Sequence, residues 1–274
     1  MPKGLESFYG QKVEWYDCVA TGGMEKSAEK TGFQCAKVKV PRDYSKPDGQ
    51  TTEIAMKKHL ATGSTRQGTL FVNPGGPGYS GVEMVENNET EFSPTLNQAY
   101  DIIGFDPRGI GSSTAITCST DAEAKAMEGV SPVDGAGAPV AFEKRAAVMS
   151  ERFKQLEADC ASRTKPTELL DHVDTVSVAR DLDILRALSG DQKLNYAGFS
   201  YGTYLGATYA ELFPANTGRL VLDGAVDPSL SAADLALGQA KGFEASLRAY
   251  VQNCQSSKLG CPLSGDVDSG VSQV

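Results

Sequence analysis

Apolar and polar residues alternate over 35–40 and again over 52–60. Two half-buried strands are predicted there, joined by the turn at 41–49, which is rich in Asp, Pro and Gly. Further along, the apolar positions gather into short runs at 69–72, 99–105, 194–197 and 219–223, each of strand length and each closed by turn residues. Between these runs the period lengthens. Val176, Ala179, Leu182 and Leu185 fall on one face of a helix predicted over 173–188, with Asp174 or Thr175 as its cap. Helices are also predicted over 141–161, 203–213 and 232–251. Strands alternating with helices define the fold class as α/β, a mostly parallel sheet with flanking helices. Two stretches show no period: 1–34, read as an irregular leader, and the small, polar tail 263–274, expected to end without regular structure. Gly135, Gly137 and Pro139 mark a loop in a polar excursion between Cys118 and Cys160.

Composition narrows the partners. A chain of 274 residues, 40% apolar and 22% charged, can bury a full core. A formal charge of -9 argues against nucleic acid, which needs a basic face. No run approaches the roughly 18 apolar residues of a membrane span. The six cysteines have neither C-x-x-C spacing nor a nearby histidine, so no zinc site is expected. Disulfides in an oxidising compartment are the better reading, and sequence neighbours suggest Cys18 with Cys35, Cys118 with Cys160, and Cys254 with Cys261. No export signal precedes Gly4, so a secreted protein would have its targeting segment outside these residues.

The chemistry gathers at three strand ends. The run at 194–197 leads into Gly198-Phe199-Ser200-Tyr201-Gly202, followed at once by a helix-compatible stretch. This is the order of a nucleophile elbow: a serine on a sharp strand-to-helix turn exposes its hydroxyl, and the next N–H sits at a helix N-terminus. The pentapeptide arises by accident in roughly one chain in five of this glycine content, so its context decides. The strand at 69–72 runs into NPGGPGYSG at 73–81. Four glycines and two prolines there make a shaped loop that lacks both the Lys-Ser/Thr pair of a phosphate loop and the G-x-G-x-x-G of a dinucleotide site. An oxyanion-hole loop needs only a donating N–H, and Gly76 is the candidate. The strand at 99–105 ends in DPRGIGSS at 106–113.

With LVLDGAVDP at 220–228, these motifs stand in the order expected of an α/β-hydrolase, and the set resembles the proline iminopeptidase group of serine exopeptidases. The secreted bacterial tripeptidyl aminopeptidase branch, with NPGGPG in place of HGGPG, is the nearest likeness. Trp15-x-x-Cys18 and the VPRDY at 40–44 also look like that branch, and the resemblance runs from about Leu5 to Cys261. It implies Ser200 as nucleophile, the Gly76 and Tyr201 N–H groups as the oxyanion hole, and supporting roles for Asp106 and Arg108. It further implies a peptide substrate, no metal or organic cofactor, a core over 35–230, and the beginning of a helical lid over 231–274.

A serine hydroxyl needs a base, and here the reading is incomplete. His59 lies in an early strand and His172 just before the 173–188 helix, and neither is expected to serve. No histidine follows Ser200, where the order of this fold requires one. Asp223 and Asp227 are read as mainly structural. The chain is therefore expected to resemble an N-terminal portion, inactive alone, with a separate C-terminal chain or a further segment supplying the acid and the histidine. An esterase or lipase of the same fold, and a non-catalytic binding module, are the alternatives.

Overall fold

The computed structural model describes residues 4–19, 24–28, 32–126, 140–257 and 260–274. Gly135, Gly137 and Pro139 lie outside the described residues. Two compact units are present, Met1–Ala225 and Val226–Val274.

In the first unit a short helix α1 (Glu6–Tyr9) precedes β1 (Tyr16–Asp17), β2 (Phe33–Pro41) and β3 (Thr51–His59). These three strands form an antiparallel meander. The segment expected to be irregular thus contributes a strand: Tyr16 and Asp17 pair with Cys35 and Gln34, beside the Cys18–Cys35 disulfide. A two-residue strand is too short to show a period. β4 (Gly68–Asn73) follows, then α2 (Gly81–Glu86), α3 (Asn88–Glu91), α4 (Pro94–Ala99) and β5 (Tyr100–Phe105). α5 (Asp121–Ala126) and α6 (Phe142–Arg163) belong to the excursion, which the Cys118–Cys160 disulfide closes. α7 (Thr175–Leu188), β6 (Leu194–Phe199), α8 (Tyr201–Leu212) and β7 (Thr217–Asp223) complete the unit.

The strand order is β1-β2-β3-β5-β4-β6-β7. β3 joins β5 antiparallel, whereas β5, β4, β6 and β7 run parallel, so the mixed sheet has a parallel half that carries the motif-bearing loops. Central β4 is buried at all six positions, as its uninterrupted apolar run requires. Phe71, Ile103, Leu182, Leu185, Tyr196 and Leu205 sit in the main core cluster. Asp174 caps α7 by accepting from the Ser177 N–H, as one of the two expected caps. β7 lies at the sheet edge, and Val221 there is 61% exposed.

The second unit is the long helix α9 (Ala232–Ser256) and the short α10 (Val267–Val271). The Cys254–Cys261 disulfide closes the turn after α9. α10 corrects the expectation of an unstructured tail. Asp266 caps it through the Ser269 N–H, and Gly270 lets it approach Val251 so closely that a Cβ there would sit 2.4 Å from that side chain. No helix among the described residues is long and apolar enough to cross a membrane.

Candidate active site

Ser200 stands between β6 and α8 with φ 54° and ψ -121°, and is the one non-glycine residue with positive φ among the described residues. Such a backbone costs about 1–3 kcal/mol and persists only where the surroundings over-determine it. Here they do. The Ser200 N–H donates to the Asp223 carbonyl at 2.9 Å, and the Ser200 carbonyl accepts both the N–H (2.9 Å) and the hydroxyl (2.7 Å) of Thr203. The turn is also sterically closed. A Cβ on Gly198 would sit 2.3 Å from the Gly202 carbonyl oxygen, and one on Gly202 would sit 2.6 Å from the Asn73 carbonyl oxygen. Tyr196, fully buried, donates its hydroxyl to that same Gly202 carbonyl at 2.8 Å. The serine itself is exposed, and its hydroxyl has no hydrogen-bond partner among the described residues.

The loop after β4 meets the elbow through Gly75. A Cβ there would stand 2.3 Å from the Phe199 carbonyl oxygen, 2.9 Å from the Tyr201 nitrogen and 3.1 Å from the Ser200 Cβ. Asn73, 1% exposed, holds Gly75 by accepting its N–H at 3.0 Å. Sequence reasoning missed both residues as elbow contacts. The available signal was a polar residue ending a strand that is otherwise apolar. Gly76 follows, exposed, and its N–H has no partner among the described residues. Tyr201 is the first residue of α8, so its N–H has no intrahelical acceptor and points out of the helix N-terminus. The two N–H groups nominated from sequence thus lie on the two segments that Gly75 brings together.

Behind this loop, the turn after β5 acts as a brace. The Asp106 carboxylate accepts the Ser80 hydroxyl (2.5 Å), the Val82 N–H (3.2 Å) and the Ser112 N–H (2.8 Å), tying the start of α2 to the 106–113 turn. Arg108 is fully buried and forks onto Asp181 at 2.7 and 2.6 Å. Its remaining N–H groups bond the carbonyls of Pro41, Arg42 and His172. Burial works against the guanidinium charge, yet Asp181 beside it raises the Arg108 pKa. The Tyr44 hydroxyl donates to Asp181 at 2.7 Å, and Arg108 lies over the Tyr44 ring. Asp181 was not singled out from sequence, and Tyr44 only as the last residue of VPRDY, because both reach Arg108 from distant elements.

No hydrogen bond joins either histidine side chain to Ser200 among the described residues. His59 stands opposite Ile102, near the start of β5, about 16 Å back along the strand direction from the elbow. Burial lowers its pKa, and its ring packs on Phe33. His172 gives its carbonyl to Arg108. Asp223 contributes a backbone carbonyl to the elbow, and Asp227 accepts from the Ser229 N–H and hydroxyl in a local turn.

A strand-turn-helix serine, held this way beside a glycine-rich loop on a parallel sheet, is the construction of a hydrolase. The chain belongs to the α/β-hydrolase fold family, whose model matches residues 68–262. It is 39% identical over 94% of its length to serine protease Hip1 of Mycobacterium tuberculosis, covering 48% of that protein. It is 40% identical over 79% of its length to the tripeptidyl aminopeptidase of Streptomyces lividans, covering 39% of it, and 40% identical over 85% to carboxylesterase B of M. tuberculosis, covering 44%. The chain therefore spans less than half the length of each of these relatives.

Proposed function

We propose that the chain carries the nucleophile and oxyanion hole of a secreted serine exopeptidase that releases short peptides from a free N-terminus, as a tripeptidyl aminopeptidase does. In this reading the Ser200 hydroxyl oxygen bonds to the scissile carbonyl carbon while a base takes the hydroxyl proton. The Gly76 and Tyr201 N–H groups hold the oxygen that becomes negative. Return of that electron pair expels the amine, which leaves with a proton, and water then hydrolyses the acyl-serine. The base and its acid partner come from residues beyond 1–274, on a further segment or a separate chain, and 231–274 begins a helical lid. The carrying observation is the positive φ of an exposed serine at the N-terminus of α8, beside a loop with an unspent N–H. Three disulfides, each between sequence neighbours, favour an extracytoplasmic site.

The test is turnover of a tripeptidyl anilide by residues 1–274, wild type and Ser200→Ala. The expected rate is at most about 10³–10⁴ over the uncatalysed reaction, the part that the oxyanion hole and binding supply without a complete triad, and Ser200→Ala changes it little. Full peptidase turnover that depends on Ser200 and on His59 or His172 would contradict the assignment of the base. An esterase is the second reading, favoured by the carboxylesterase relative. It predicts turnover of a short acyl ester and none of the tripeptidyl anilide.

A further inference from the structure

A cavity of about 350 Å³ opens among α1, the turn joining β2 to β3, α7 and the end of α8. We propose that it binds a monocarboxylate on an apolar body, such as a medium-chain fatty acid or the C-terminal residue of an apolar peptide. None of its lining belongs to the elbow or to the loops beside it. Phe213 stands just past the last turn of α8, about 18 Å along the helix from Ser200, and binding here does not require Ser200 to be a nucleophile.

The cavity is graded from apolar to charged. Leu5 is buried in its wall, Tyr9, Tyr44, Pro47 and Phe213 are half-buried, and Ser45 and Arg180 are exposed. Its walls are held in place. A Cβ on Gly4 would sit 3.1 Å from the Pro47 Cγ, so the segment leading into α1 rests closely on the β2 to β3 turn. The Tyr9 hydroxyl donates to Asp183 at 2.6 Å and the Tyr44 hydroxyl to Asp181 at 2.7 Å, which fixes both rings against α7. An apolar cavity of about 150 Å³ takes a benzene ring, so this one has room for a chain of about eight carbons or for a leucine-sized side chain with its backbone.

The rim selects the head group. Tyr9, Tyr44 and Ser45 spend their hydroxyl protons on Asp183, Asp181 and Asp43. Burial, and then the aspartate that each one bonds, raises the pKa of both phenols, so the lining carries no negative charge. Arg108 and Arg180 both lie over the Tyr44 ring, at 5.3 and 5.4 Å. Their situations differ. Asp181 neutralises Arg108, whereas among the described residues Arg180 has neither an ion-pair partner nor an acceptor for its N–H groups. The chain carries 35 acidic residues against 26 basic ones, and a guanidinium left unpaired above an apolar hollow is an exception in it. Its planar fork matches the two oxygens of a carboxylate. A phosphate monoester, with close to two charges, would find a single cation. A carboxylate seated on Arg180 lays the rest of its molecule against Tyr44, Pro47 and Phe213, where each methylene buried is worth about four-fold in affinity.

The experiment is a titration of residues 1–274 by NMR with octanoate, acetate, octylammonium and N-acetyl-Leu-Leu, in wild type, Arg180→Gln and Arg180→Glu, with thermal melts confirming that each variant folds. Wild type binds octanoate saturably and about ten-fold or more tighter than acetate or octylammonium. Arg180→Gln weakens octanoate by about ten-fold or more, and Arg180→Glu reverses the preference to octylammonium. Octanoate and N-acetyl-Leu-Leu separate the two sources of the carboxylate: the tighter of them, with the same dependence on Arg180, identifies a fatty acid or a peptide C-terminus. Acetate or octylammonium binding wild type as tightly as octanoate, octanoate binding unchanged in folded Arg180→Gln, or no saturable binding of either apolar carboxylate overturns the proposal. The wild-type comparison needs no variant, so a variant that fails to fold leaves the test intact.

Discussion

β6 and β7 lie side by side, Ala197 against Val221, and are written in nearly the same apolar alphabet. Their fates differ. Leu194 and Tyr196 of β6 are fully buried, whereas every residue of β7 keeps some exposure and Val221 is mostly in solvent. β6 ends in a strained serine pinned from both sides, while β7 gives that serine a single carbonyl. Strand formation is written in the residues themselves, but burial is decided by what stands next to them. A parallel strand with apolar side chains on both faces is normally covered on both. β7 is patterned for coverage that the described residues of its own unit do not supply, and its open edge is a template for pairing with another strand.

The contrast predicts where substitutions matter. Arg108→Ala removes the centre of the brace and leaves Asp181 buried without its cation. A loss of about 3–5 kcal/mol is expected in urea unfolding, and a loss under 1 kcal/mol would show the brace to be idle. Gly75→Val drives a side chain into the Phe199 carbonyl. Modification of Ser200 by a fluorophosphonate should slow by about 10²-fold or more, the scale of losing one oxyanion donor. Unchanged labelling would separate Gly75 from the site.

Acid should act on the core beneath the elbow. Burial alone would raise the Asp183 pKa, but hydrogen bonds from Arg186, Tyr9, Tyr209 and Asn216 lower it below its ordinary value. A depressed carboxylate stabilises the fold above its unfolded pKa of about 3.9, and that contribution is lost as pH falls through the folded value. Asp183→Asn should lower stability at pH 7 and flatten the stability profile below about pH 4. A parallel downward shift of the whole profile would assign Asp183 a role independent of its charge. Removing the α7 cap with Asp174→Ala should cost about 1 kcal/mol. On the other side of the comparison, Val221→Lys should change stability by no more than about 0.5 kcal/mol. A larger loss would mean that β7 is covered after all.

Much of this was legible in the chain. The main strands were placed to within about two residues, because each is an alternating stretch or an apolar run ended by turn residues. The three disulfides follow sequence proximity. The elbow could be read because strand, small residues, serine and helix must occur in that order. What escaped has a common cause. α2, α3, α4 and α10 are too short to show a period, although Ser80, Ser93 and Asp266 cap three of them. Asp181 and Tyr44 meet Arg108 only after folding. In a run of glycines, sequence cannot tell which residue touches the elbow and which leaves its N–H free; the structure gives the contact to Gly75.

The most direct test of Ser200 as the serine that the elbow presents to the oxyanion hole is to treat residues 1–274 with a fluorophosphonate and map the adducts over time by mass spectrometry. Ser200 should be modified before every other serine, and Gly202→Val, which pushes a side chain into the Asn73 carbonyl, should abolish that priority. Modification of another serine first, or of Ser200 at the same rate in both proteins, would contradict the account.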